Sequence, residues 1–139
     1  MSILRSFFSR DLIPLKIASI LFLVAIVLGH LTLPLSGILV LGTILSVTMN
    51  FTYPVAALAK QEARNMELLI AGVLIGLSLL SLWFSPWLLV LAIAGHGCWD
   101  LMKLLRRAGV GFEDWYCLGC AAADLSWAAV LALVLLQMA

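Results

Sequence analysis

Between Met66 and Leu105 the chain runs for 40 residues with one strong helix breaker inside, Ser85-Pro86. As a single helix that run would be about 60 Å long, twice the roughly 30 Å of hydrocarbon in a bilayer. The chain must therefore turn within it. Proline suits the first turn of a new helix, and the residue before it is pushed out of the helical region. The pattern predicts two helices, about 67–84 and 86–105, joined by a tight turn. Three more apolar runs stand beside them: about 17–33, about 36–58 after the Leu33-Pro34-Leu35 break, and about 116–137. A transmembrane helix needs about 20 mostly apolar residues, so five spans are expected.

Composition removes the soluble alternatives. Of the 139 residues 65% are hydrophobic and 11% charged, with a mean hydropathy of +1.19. A soluble domain carries about 45–50% apolar and about 25% charged residues. Such a chain has too little polar surface to cover a water-soluble fold. Disorder and a disulfide scaffold fail on the same arithmetic. The net charge of +1 supplies no field for nucleic acid. The expected fold is all-α, a single domain over 1–139, an integral membrane bundle whose first partner is the lipid bilayer.

Charge placement orients the bundle. Five alternating crossings put 1–16, 59–66 and 103–115 on one side. Every basic residue falls there: Arg5, Arg10, Lys16, Lys60, Arg64, Lys103, Arg106 and Arg107. Short Lys/Arg-rich loops stay cytoplasmic, which gives N-in, C-out, with a bacterial inner membrane as the expected location. A four-span chain would split these residues between both sides. Trp83, Phe84 and Trp87 flank the outer turn, and Trp115 and Tyr116 open the last span, as an interfacial belt requires. Ile3, Leu4, Phe7, Phe8 and Leu12 recur at helical spacing, which predicts a short interfacial helix over 1–13. Met1 is retained and no small-x-small site follows the apolar stretch, so a cleaved signal peptide is not expected.

Ionisable groups inside hydrocarbon are costly and tend to mark a working site. Here they fall in the last two spans. His96 and Asp100 are four apart and share a helix face. His96 lies nine residues from an end near Leu105, and Asp124 nine from an end near Trp115, each about 13 Å deep. Adjacent antiparallel helices would set His96 level with Asp124. Asp100 and Cys120, five residues in, would form a shallower layer. Asn50, eight residues from Leu58, could reach the deeper one, and Trp99 flanks it. The candidate acid/base site is therefore His96, Asp124 and Asp100, with Asn50, Trp99 and Cys120 as candidate substrate contacts. Lys103, at i+3, could pair with Asp100. Glu67 is expected at the interface and Glu113 and Asp114 in a solvated loop.

The bland alternative is a hydrogen-bonded His–Asp pair that locks two helices. Cys117 and Cys120 form a C-x-x-C, but inside a helix near the reducing side they read as small packing residues. His30 is near the outer end of its span, too far from the level of His96 to share a haem. Gly72 and Gly76 make a G-x-x-x-G, and Gly95, Gly119 and Ala121–Ala123 supply further close-approach positions, for internal packing or for an oligomer. No nucleotide loop, nucleophile elbow or multi-histidine cluster is present, so neither cofactor nor metal is expected.

His96-Gly97-Cys98-Trp99-Asp100, then Trp115-Tyr116, Cys120 and Asp124, resembles the H-x-x-W-D … W-Y … C-x-x-x-D arrangement of small uncharacterised multi-pass membrane proteins. The resemblance covers about 95–130 and departs at Lys103-Leu104, where a further histidine would stand. It implies a fold type and no chemistry. More loosely, a histidine followed by a buried acid on five spans is similar to sterol isomerase-like membrane proteins, without a signature that carries residues over. Three functions stay open: an accessory or assembly subunit of a homo-oligomer or larger membrane complex, a handler of protons, ions or small solutes through the His/Asp site, and an enzyme acting on a lipid-soluble ligand. Whether the chain is an enzyme is thus undecided by its sequence.

Overall fold

The computed structural model describes residues 12–137, so the expected interfacial helix over 1–13 lies almost wholly outside the described residues. Six helices follow one another: α1 (Ile13–Thr32), α2 (Leu35–Met49), α3 (Thr52–Lys60), α4 (Arg64–Leu80), α5 (Trp87–Arg106) and α6 (Asp114–Gln137). The described residues contain no strand. Four stretches are long and apolar enough to cross a membrane: α1, α2 with α3 taken as one 26-residue run, α5 and α6. The fifth candidate, α4, has 17 residues, about 25 Å by helical rise.

The breaks follow local chemistry. Pro34 forces Leu33 into an extended conformation (φ −100°, ψ 147°) and ends α1. Pro86 caps α5, and the chain between Leu80 and Trp87 closes in turns rather than continuing a helix to 84. One break was not expected. The run read as 36–58 is interrupted at Asn50-Phe51, between α2 and α3. Pro54 is the cause: it has no N–H to give the Asn50 carbonyl, and its ring crowds that carbonyl. At the basic end, Gln61 and Ala63 take left-handed conformations (φ 57° and 49°) to fold α3 back onto α4.

Large apolar side chains cover the outside of the bundle, and a set of polar groups is buried beside its apolar core. Leu, Ile and Val cover the outside of α1, α2 and α4, while His96, Asp100, Lys103, Asp124, Glu67, Ser46 and Ser78 are buried. In lipid such an arrangement would be stable, because leucine gains little by leaving acyl chains whereas a polar group must find a protein partner. α5 and α6 form the most extensive helix pair. Gly97 permits their close approach: a Cβ there would be 3.2 Å from the Asp124 Cβ. An apolar cluster of Ile38, Leu89, Ile93, Trp127 and Leu131 fills one end, and Tyr53, Ala57, Val110 and Cys117 pack at the other. α2 and α4 are joined by serines, with Ser46 Oγ 2.8 Å from Ser78 Oγ. α1 packs through one face only, with Gly29 its one buried residue.

The small-residue motif does not serve internal packing. Nothing lies within 4 Å of the Cβ positions of Gly72, Gly76 or Gly119, whereas Gly95 packs against Leu74.

Candidate functional site

The buried polar groups lie where α2, α3, α4, α5 and α6 converge. His96, Asp100 and Asp124 each offer a nitrogen or oxygen within 4.8 Å of the others. They are 3%, 0% and 2% exposed. The match of levels between His96 and Asp124 expected from helical rise is therefore present, and Asp100 joins the same cluster one turn along α5.

His96 and Asp100 are each held by a further residue. Asn50 Nδ2 donates to the Ser46 carbonyl at 2.8 Å, and a carbonyl can only accept. The amide orientation is thereby fixed, and Asn50 Oδ1 faces His96 Nδ1 at 2.9 Å. The Nδ1 atom must carry the proton, which leaves the Nε2 lone pair pointing toward Asp100 Oδ2 at 3.7 Å. The Tyr53 hydroxyl donates to Asp100 Oδ1 and lies 3.6 Å from the Cys117 sulfur. The Tyr53 ring stacks on the His96 imidazole, with centroids 5.8 Å apart and planes 13° apart. Asp100 Oδ2 and Asp124 Oδ2 are buried and accept from no neighbour.

Beside this cluster is a buried ion pair. Lys103 Nζ donates to Glu67 Oε1, and the two side chains are 3% and 1% exposed. Trp99 Nε1 donates to Glu67 Oε2 at 3.0 Å. The loop after α5 completes the pair from above: the Val110 N–H donates to Glu67 Oε1 at 2.8 Å, and the Val110 carbonyl accepts from Lys103 at 3.2 Å. Gly109, at φ +72°, lets the backbone pass this close, since any side chain there would run into Glu67, Lys103 and Trp99. Lys103 also lies 4.2 Å from the Tyr53 ring centroid, within cation–π range.

One sequence expectation is corrected. Lys103 pairs with Glu67, which protein atoms bury near the start of its helix, rather than with Asp100. The physical reason is depth. α4 and α5 run antiparallel, so residues near the start of one meet residues near the end of the other. Trp99 donates to Glu67 and also lines the crevice on which His96 opens. Cys120 is half-buried, and the thiol nearest the Tyr53 hydroxyl is instead that of Cys117. Asn50 is found in the expected layer.

Tyr53 and Ser46 were not singled out from sequence. Tyr53 carried a signal, being three residues from Asn50 and hence on its helix face. A narrow crevice reaches the cluster between Asn50, Tyr53, Glu67, His96 and Trp99. Chemically the arrangement offers one imidazole lone pair and two carboxylate oxygens without partners, a donor set for a cation. The chain matches no protein-family model, no curated protein and no solved structure.

Proposed function

We propose that this is a five-span membrane protein, N-in and C-out, that binds and passes a cation at His96, Asp100 and Asp124. The observation that carries the reading is charge. Among the buried groups of the described residues, the carboxylates of Asp100, Asp124 and Glu67 stand against one ammonium, that of Lys103, with the His96 imidazole beside them. Glu67 uses that ammonium, so two carboxylates have no counter-ion. An uncompensated pair of carboxylates in a low-dielectric interior is far too costly to persist. Neutrality is reached when the site takes up two protons or one divalent cation. A cluster built only to lock helices would satisfy its own oxygens.

Reconstitution into lipid vesicles tests this, with a pH-sensitive dye in one set and a divalent-metal-sensitive dye in another. The protein is expected to speed the decay of at least one gradient tenfold or more. His96→Ala and Asp124→Asn return the rate to that of protein-free vesicles while eluting as the parent does. A parent rate equal to that of protein-free vesicles in both sets overturns the reading.

The assembly reading rests on a different observation, the exposure of α1. It packs on the bundle through one face only, at Phe22, Ile26 and Gly29, and turns Ile17, Ile20, Leu21, Val24, Leu28 and Leu31 outward to lipid or to another subunit. If that surface meets a partner, His96→Ala leaves the complex intact on gentle purification, while apolar-to-tryptophan changes along Ile20, Val24 and Leu28 dissociate it.

A further inference from the structure

We infer that the cation is a divalent first-row transition metal of the zinc class, bound by His96 Nε2 with one oxygen each from Asp100 and Asp124. This deepens the cation reading and rests on it. The geometry is close to what such an ion needs. Ligand atoms about 2.1 Å from a tetrahedral metal lie about 3.4 Å from one another. His96 Nε2 and Asp100 Oδ2 are 3.7 Å apart, and the widest separation in the triad is within 4.8 Å. Closing the set needs the widest separation to shrink by at most about 1.4 Å, within the reach of side-chain rotation.

The supporting residues point the same way. A metal-binding imidazole gives its other N–H to an acceptor that fixes ring and tautomer, and binding carboxylates are themselves hydrogen-bonded. Asn50 Oδ1 occupies the first role and the Tyr53 hydroxyl the second, on Asp100 Oδ1. The unpartnered oxygens, Asp100 Oδ2 and Asp124 Oδ2, are those left over for the ion. Two carboxylates and a neutral imidazole around a doubly charged ion leave no net charge, which suits a site far from water. An imidazole nitrogen among the ligands favours zinc-class metals over magnesium or calcium, which prefer all-oxygen shells. Three protein ligands leave a fourth position open for water or a solute.

The test uses the full chain purified in detergent, with Zn2+ as the probe. Equilibrium binding is expected to give one Zn2+ per chain. Asp124→Asn and Asp100→Asn, which keep shape and remove charge, each weaken binding at least tenfold. Cys98→Ser and His30→Gln leave it within twofold. Co2+ in place of Zn2+ gives visible d–d bands without a thiolate charge-transfer band. Absence of stoichiometric Zn2+, or a site lost in Cys98→Ser and kept in the aspartate variants, overturns the inference. The two readings fail separately. Proton flux that needs His96, with no Zn2+ bound, removes the metal and keeps the cation site; Zn2+ bound at the triad without flux removes the transport and keeps the metal.

Discussion

A single residue, Glu67, shows how tightly the polar interior is balanced. Its carboxylate accepts from Lys103, from the Trp99 indole and from the Val110 N–H. Removing one partner of a buried ion pair leaves an uncompensated charge and costs about 3–5 kcal/mol. Glu67→Gln and Lys103→Met are each expected to lose about that much in detergent-unfolding measurements. The double variant, which removes both charges, recovers most of the loss. Equal, additive losses in the double variant would show that the two side chains stabilise the bundle independently. At this scale the sequence was only partly legible. His96, Asp124 and Asn50 could be placed because helical rise converts residue counts into depth. Glu67 could not, since its burial depends on the loop at Gly109–Val110 folding over it, which no periodicity encodes.

Among the elements, the interruption between α2 and α3 has the clearest consequence. Pro54 frees the Asn50 carbonyl and lets the Asn50 side chain turn back to Ser46 while its oxygen reaches His96. Pro54→Ala restores a continuous helix and is expected to leave thermal stability unchanged or higher. Cation flux in vesicles falls several-fold, because Asn50 no longer holds the His96 ring. Unchanged flux would mean that the interruption has no part in positioning the site. The long apolar runs were legible because length alone fixes them. Pro34 and Pro86 were legible because each stands between two runs. Pro54 was overlooked because it lies within one, where a proline can be absorbed as a mild kink or can break the helix, and only packing decides which.

For the molecule as a whole, the arrangement of basic residues is the lever. Lys60 and Arg106 close their helices, Arg64 opens the next one and Arg107 follows α5, where its Nη2 donates to Asp114 Oδ2 at 3.1 Å. Reporters fused at the two termini are expected to read opposite compartments, with the N-terminal one cytoplasmic. Reporters on the same side would remove one span from the count, and α4, at 17 residues, would be the helix to reconsider.

The distance along the chain between Glu67 and its ammonium carries a consequence for biosynthesis. Lys103 follows 36 positions later, which a ribosome working at about 5–20 residues per second needs roughly 2–7 s to deliver. Throughout that interval the nascent α4 carries an acid with no mate. On the five-span proposal, α4 is expected to stay at the translocon or the lipid margin until α5 arrives, so that the two helices enter the bilayer as a coupled hairpin rather than one after the other.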